Sequence, residues 1–178
     1  GEFRNDYGHF LGPATNLVNR GSLMDMIIQS ITGNWYYSQP EQITTNEFAG
    51  LISFENNINT LIELCTNDKT KILLMTEPNI YNDSMSDDEL NALHMLNTEA
   101  IGNGKQWSPE TVLNGLKIYN EKVKSISAAK GTMLIDLEKI VPKTLEYFYD
   151  DVHYKDVTYD LISDYIAGEL KRFKPWKK

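Results

Sequence analysis

The sequence predicts a single domain of the α/β class, rich in helix and with a short parallel sheet. Two apolar runs, 71–76 and 132–137, are bounded by polar residues and have the length of strands buried on both faces. A long amphipathic helical pattern over 108–130 separates them, and another follows over 156–173. Strand, helix, strand and helix in this order are typical of parallel α/β construction. A length of 178 residues suits one domain with its own core.

The chain before the first strand is predicted to be mainly helical. A helix follows Gly12-Pro13, and Gly33 is well placed to end it. Its apolar positions are Leu17, Met24, Ile27, Ile28 and Ile31. Residues 34–40 are expected to form an aromatic-rich loop. The spacing Thr44-x-x-Glu47 is that of a capping box, which predicts that the next helix begins there. Its apolar positions are Phe48, Leu51, Ile58, Leu61, Ile62 and Cys65.

The segment between the two predicted strands divides into an irregular part and a long helix. Residues 79–107 are polar, with one short helix expected after the second capping-box spacing, Ser86-x-x-Glu89. Ser108 then supplies a helix cap that is followed by a first-turn proline. Gly131 is expected to end that helix just before the second strand.

Composition and charge limit the partners that the chain can have. Twenty-five acidic side chains against 17 basic ones give a net charge of −8, which argues against nucleic acid as the main partner. No apolar run approaches the ~20 residues of a membrane span, and no signal peptide is visible. Residues 1–3, Gly-Glu-Phe, are typical of a cloning scar. The single cysteine, Cys65, excludes an internal disulfide, and the sequence predicts no metal site and no cofactor.

Chemistry is most strongly indicated in residues 148–154, where an Asp precedes a His by three positions. On a loop beyond the carboxyl end of a strand, Asp150 can fold back and accept the Nδ1–H of His153. The carboxylate would fix the tautomer and stabilise the imidazolium, which leaves Nε2 as a general base. On spacing alone, a solvated acidic loop with an incidental histidine is the simpler interpretation.

Three stretches together resemble the C-terminal half of the SGNH, or GDSL-type, serine esterases and acylhydrolases. Residues 72–79, ILLMTEPN, resemble the family's fourth strand with its L-x-T-x-P ending. Residues 119–137 resemble its helix and fifth strand, with a Tyr-Asn near the start, a glycine, and an Asp-Leu ending. Residues 150–154, DDVHY, resemble the final catalytic block, D-x-V-H-(F/Y). The resemblance covers roughly residues 44–172.

The resemblance implies a flavodoxin-like, three-layer α/β/α fold, of which this chain would hold a helix-rich part. It also implies that Asp150 is the acid and His153 the base of a catalytic triad. The family often has Thr two residues after this His and Gly five residues after it, whereas this sequence has Lys155 and Thr158. Because a lysine cannot cap a helix as threonine does, we expect Asp156 to cap the last helix.

The nucleophile and the oxyanion residues of the family have no clear match. The family's Gly-Asp-Ser turn follows a buried strand, whereas Ser22 lies in a Gly-Ser-Leu within a helical pattern and is expected to be an ordinary helix residue. The glycine block that donates a backbone N–H to the oxyanion is also absent. Asn5 either belongs to the family's third block, Gly-x-Asn-Asp, as an oxyanion donor, or lies in an unstructured terminus; both interpretations stay open.

The resemblance therefore implies a serine ester hydrolase that acts on a small acyl-ester substrate, with residues 4–178 as the C-terminal part of its domain. Because no fitting nucleophile is present, this chain is predicted to have weak or no activity. One alternative is a non-catalytic half-domain or degenerate homologue that binds a ligand or a partner chain; another is an unrelated α/β binding module. The strand at 71–76 is expected to have a free edge, which predicts a homo-oligomer that covers it. The compartment stays open.

Overall fold

The computed structural model describes residues 41–93 and 105–173. The helix predicted after Gly12-Pro13 and the aromatic loop at 34–40 lie outside these residues. The described elements, in chain order, are β1 (Glu41–Ile43), α1 (Gly50–Asn67), β2 (Leu73–Met75), α2 (Asp87–Ala92), β3 (Lys105–Trp107), α3 (Pro109–Lys130), β4 (Met133–Ile135), a 3₁₀ turn (Leu137–Lys139) and α4 (Asp156–Phe173). Helices and parallel strands alternate, so the α/β class is confirmed.

The two predicted strands are parallel neighbours, as expected. β2 pairs with β4 in the register Leu73 to Met133 and Met75 to Ile135, although each strand is only three residues long. α3 connects the pair and packs against both strands and against α1, while α4 packs against β4. This crossover places the carboxyl ends of β2 and β4 side by side.

A second parallel pair, β1 with β3, is not predicted by the sequence. Glu41 lies opposite Lys105 and Ile43 opposite Trp107, and this pair forms a sheet of its own. The backbone N–H of Ser108 donates to the carbonyl of Ile43 over 3.0 Å, which continues the pairing into the start of α3. Both strands lack the alternation or apolar run by which a strand is recognised, so the sequence carries no period to identify them.

Two of the four N-terminal helix caps predicted within the described residues, Ser86 and Ser108, are confirmed. The Ser108 hydroxyl accepts the N–H of Thr111 over 3.1 Å, and Pro109 opens α3. At α2 the Ser86 hydroxyl accepts the N–H of Glu89 over 3.3 Å, while the Glu89 carboxylate accepts the N–H of Ser86 over 2.8 Å. This reciprocal pair is the capping box that the spacing predicts.

The capping box predicted at Thr44 and Glu47 is wrong, because α1 begins only at Gly50. The Thr44 hydroxyl instead donates to the hydroxyl of Ser108 over 3.2 Å. The backbone N–H of Thr45 donates, over 3.0 Å, to the threonine hydroxyl in the first turn of α3. Tertiary hydrogen bonds that follow the pairing of β1 with β3 therefore replace the local cap.

The prediction that Asp156 caps the last helix is wrong. A cap precedes the first helical residue, whereas α4 begins at Asp156 itself. Its negative charge still favours the positive amino end of the helix. Thr158 is fully buried, and its hydroxyl donates to the carbonyl of Tyr147 over 2.5 Å. This hydrogen bond fastens the start of α4 to the loop that precedes it.

Two apolar cores support the fold. One lies beneath the loop before α4 and contains Ile80, Tyr81, Leu93, Val112, Val141 and Phe148. The other lies between α1, α3 and β2 and contains Ile62, Leu74, Val123 and Ile126. Leu61, expected to face inward, is 51% exposed on α1. None of the described helices is both long and apolar enough to cross a membrane.

Self-association through the strand edge stays a prediction. Among the described residues β2 pairs only with β4, and Met75 on β2 is 44% exposed. An uncovered strand edge is a template for pairing with another chain. We expect light scattering to show a dimer at micromolar concentration, and a monomer would contradict this.

The end of α1 makes one stability prediction possible. The N–H of Thr70 donates to the carbonyl of Cys65 over 2.8 Å, and the N–H of Lys69 donates to that of Thr66 over 3.1 Å, which is the Schellman pattern. Lys69 therefore adopts the left-handed conformation, with φ of 59°, that Gly131 adopts with φ of 64° at the end of α3.

We expect Lys69→Gly to raise the free energy of unfolding by about 1 kcal/mol, because glycine adopts this conformation without steric cost. Urea denaturation measures the change. The matched control is Lys69→Ala, which removes the same charge but keeps a Cβ and should give no such gain. If the two variants changed the free energy of unfolding equally, the gain would not come from the left-handed backbone conformation.

Candidate functional site

A tight hairpin carries both residues of the predicted acid–base pair. Phe148 and Tyr154 form an antiparallel bridge, and the backbone N–H of Tyr149 donates to the carbonyl of His153 over 2.9 Å. We term residues 147–155 the Asp–His hairpin. Because side chains alternate across such a pairing, the Phe148 ring points into the core while Tyr149 and His153 share the exposed face.

The carboxylate of Asp150 contacts the imidazole of His153, as predicted. Nδ1 of His153 lies 2.9 Å from Oδ1 and 2.7 Å from Oδ2 of Asp150. Oδ1 also accepts the backbone N–H of Val152 over 3.1 Å and that of His153 over 3.0 Å. The turn itself therefore holds the carboxylate in place against the ring.

This geometry makes the outer nitrogen of His153 available as a base. An ionised carboxylate can only accept hydrogen bonds, so Nδ1 carries the proton and Nε2 keeps its lone pair when the ring is neutral. The His153 side chain is 70% exposed and that of Asp150 22%. No hydrogen bond from a described residue reaches Nε2, and it can therefore take a proton from an incoming hydroxyl group.

The hydrogen bonds keep Asp150 ionised. Burial alone would raise the pKa of this carboxyl group, but the backbone N–H groups of His153 and Val152, together with the imidazole, outweigh it and hold the pKa below its ordinary value. The charge that orients the ring is therefore present throughout the neutral and mildly acidic range.

A lowered pKa has a consequence for acid stability. Because the folded protein binds the Asp150 proton less tightly than the unfolded chain does, ionised Asp150 stabilises the fold above the unfolded pKa of about 3.9. This stabilisation is lost as the pH falls through the lower pKa of the folded state. We therefore expect wild type to exceed Asp150→Asn in free energy of unfolding at about pH 5, with the gap closing toward about pH 2. Urea denaturation across this range measures it, and a gap that widened with acid would contradict the assignment.

The hairpin is held at the carboxyl end of β2 by two hydrogen bonds. The Tyr154 hydroxyl donates to Oε1 of Glu77 over 2.9 Å, and the N–H of Ile80 donates to the carbonyl of Asp151 over 3.0 Å. The side chain of Asn120 on α3 fixes the same segment, since it accepts the Glu77 N–H over 2.8 Å and donates to its carbonyl over 2.9 Å. His153 thus lies beside the strand ends, where parallel α/β proteins place their sites.

The ends of β2 and β4 are joined by a polar cluster. The Thr76 hydroxyl donates to Oδ1 of Asp136 over 2.8 Å, and Lys124 and Lys139 each lie 3.2 Å from Oδ2. Burial opposes ionisation of Asp136, but the Thr76 hydroxyl and the two ammonium groups lower its pKa overall. The Thr and the Asp that end the two motif strands thus bind each other and hold these strand ends together.

Several residues of this region are not identified by sequence reasoning. Tyr81 lies in no motif, whereas Glu77 and Asn120 lie within the motif stretches but are given no role of their own. Asp151 is read in the sequence only as a neighbour of Asp150, yet it is fully buried and accepts a hydrogen bond from Tyr81. Its place directly beside the motif acid is the one available signal.

The other candidate residues lie largely outside the described part of the chain. Asn5 and Ser22 belong to residues 1–40, so of the site residues that the sequence predicts only Asp150 and His153 are shown together. Cys65 is half-buried on α1 and has no disulfide partner among the described residues. Within these residues no group of three or more His, Cys, Asp or Glu side chains is arranged to hold a metal ion.

No protein-family model, no curated protein and no solved structure matches this chain. Functional interpretation therefore depends on the motifs and on the geometry of the Asp–His hairpin.

Proposed function

We propose that this chain supplies the acid–base pair of an SGNH-type serine ester hydrolase. The observation that supports this proposal is the contact between Asp150 and Nδ1 of His153, with Nε2 exposed, on a hairpin at the carboxyl end of a parallel strand pair. The contact fixes the ring in the tautomer that a general base requires, which a histidine without a carboxylate at Nδ1 lacks.

In the proposed mechanism, Nε2 of His153 takes the proton of a serine hydroxyl as its oxygen attacks the ester carbonyl. The same nitrogen then returns the proton to the departing alkoxide, which leaves an acyl-enzyme. Water, activated by His153 in the same way, releases the acid and regenerates the serine. Asp150 keeps the ring in the reactive tautomer and stabilises the imidazolium that forms twice in each cycle.

The serine of this mechanism is proposed to come from upstream of residue 4. No Gly-Asp-Ser occurs in the 178 residues, and the matched motifs all belong to the C-terminal half of the family's pattern. We therefore propose that residues 4–178 are the C-terminal part of an SGNH-like domain. Backbone N–H groups of the missing blocks, and Asn5 if it belongs to the third block, would stabilise the oxyanion.

A non-catalytic role is the second candidate, and the missing nucleophile favours it. A degenerate homologue would keep the hairpin for its contribution to the fold while binding a ligand or partner chain. The two candidates differ in what the gene encodes before residue 4: only the enzyme requires a buried strand ending in Gly-Asp-Ser.

The test compares two proteins on p-nitrophenyl acetate, a short activated ester. We expect this chain alone to show little or no turnover, because His153 has no positioned serine to activate. We expect the longer gene product, which includes the upstream residues, to hydrolyse the ester. Ser22→Ala in the short chain controls for an unexpected nucleophile and should change nothing. An inactive longer product, or a gene without Gly-Asp-Ser, would favour the binding protein.

A further inference from the structure

Asp151 is the one acidic side chain on the Asp–His hairpin that the proposed mechanism does not use. It follows Asp150 directly, but its side chain is fully buried while that of Asp150 reaches the surface. A carboxylate without water is costly unless hydrogen bonds replace its hydration. The phenol of Tyr81, itself 1% exposed, donates such a bond to Oδ2 of Asp151 over 2.5 Å.

A backbone contact joins the same two segments at neighbouring residues. The N–H of Ile80 donates to the carbonyl of Asp151 over 3.0 Å, and Nζ of Lys143 donates to the carbonyl of Tyr81 over 3.1 Å. Ile80 and Tyr81 therefore hold Asp151 by its main chain and its side chain at once. Asp151 cannot rotate without breaking one of these two bonds.

The phenol is also suited to act as a permanent donor. Burial, and after it the hydrogen bond to Asp151, raise the pKa of Tyr81 far above its ordinary value. The hydroxyl therefore keeps its proton at neutral pH and remains a donor to Asp151.

We infer that Tyr81 is a positioning residue for the acid–base pair, acting through Asp151. The turn that carries both carboxylates buries Asp151 and presents Asp150 to the imidazole of His153, so fixing Asp151 in the core holds the turn in the conformation that this contact needs. The inference rests on the proposed function for its catalytic meaning. The structural part of the inference is that Tyr81, through Asp151, keeps Asp150 at Nδ1 of His153 and so fixes the tautomer of the ring. This part can be tested without any enzymatic activity.

The test follows the protonated nitrogen of His153 by long-range ¹H–¹⁵N NMR of the neutral imidazole. In wild type we expect the Nδ1–H tautomer, because Asp150 accepts that proton. Tyr81→Phe keeps the ring and removes only the hydroxyl, and we expect a mixture in which the Nε2–H form becomes substantial. His153→Gln identifies the signal among the three histidines of the chain.

A matched control separates positioning from general destabilisation. Val123→Ala weakens the second core, which includes Ile62 and Leu74, and it should leave the tautomer of His153 unchanged. If Tyr81→Phe lowers stability but the Nδ1–H form persists, Tyr81 is structural only and the inference is overturned.

A second pair of variants keeps the inference testable if Tyr81→Phe does not fold. Asp151→Asn retains an oxygen that accepts the Tyr81 hydroxyl and should keep the Nδ1–H tautomer. Asp151→Leu has similar volume without an acceptor and should lose that tautomer, whereas identical spectra for the two would contradict the inference.

In an active longer gene product, Tyr81→Phe should lower kcat by about 10²-fold with little change in KM, because the base is misplaced while the substrate contacts remain. Failure of the proposed function would remove this kinetic readout and leave the NMR result intact, so the two failures are distinguishable. An unchanged kcat in an active enzyme would overturn the inference.

Discussion

Phe148→Ala is expected to lower the free energy of unfolding by about 3–5 kcal/mol, because a large buried ring is replaced by a cavity. The ring is fully buried in the core with Ile80 and Tyr81, and it packs edge-to-face on Tyr154 with centroids 5.5 Å apart. Urea denaturation measures the loss. The ring is the apolar anchor of the Asp–His hairpin, beside the hydrogen bonds that hold it, so its loss should also increase hydrogen exchange throughout residues 147–155.

The adjacent tyrosine provides the control for this substitution. Tyr149 is 62% exposed, and its ring lies 5.5 Å from Nζ of Lys155. Tyr149→Ala should therefore cost less than about 1 kcal/mol, since it removes one exposed cation–π contact and creates no cavity. Similar losses for Phe148→Ala and Tyr149→Ala would contradict the alternation of core and surface along the hairpin.

The second large effect is expected in catalysis, if the gene product extends upstream and carries the Gly-Asp-Ser turn of the proposed function. His153→Ala should lower kcat on p-nitrophenyl acetate by a factor on the order of 10⁴–10⁶, because the serine loses the base that takes its proton. Asp150→Asn should lower it by a factor on the order of 10⁴, since an amide can donate to Nδ1 and so favours the wrong tautomer.

Two measurements, one kinetic and one structural, distinguish this effect from unfolding. KM should change little, because neither side chain is proposed to bind the substrate, and circular dichroism should show retained helix content. His94→Ala is the control of the same residue type and should leave kcat unchanged. If His153→Ala kept most of the activity, His153 would not be the base.

The elements that the sequence predicts are those stabilised by neighbouring residues, and the elements that it misses are stabilised by residues distant in the chain. α3 and α4 have the predicted bounds because their signals are local: a serine cap with a following proline, a left-handed glycine at 131, and a sustained apolar period. The start of α1 was not predictable because Thr44 hydrogen-bonds across 64 residues to Ser108. β1 and β3 are three-residue strands, and only their mutual pairing indicates them.

The candidate site divides in the same way. The contact between Asp150 and His153 spans three residues, and the spacing together with the family resemblance predicted it. The contact between Tyr81 and Asp151 spans 70 residues, and nothing in either local pattern indicates it. The contact within the hairpin was therefore predictable from the sequence. The buried contact that holds the hairpin in place became visible only in the structure.

The central claim is that His153 activates a serine, and covalent trapping tests it most directly. An organofluorophosphonate phosphonylates an activated serine: the hydroxyl oxygen attacks phosphorus, fluoride leaves, and the base takes the proton. Mass spectrometry of the longer gene product should show one labelled serine, within an upstream Gly-Asp-Ser turn, and His153→Ala should slow the labelling by several orders of magnitude. Absence of labelling, or labelling at an unchanged rate in His153→Ala, would contradict the claim.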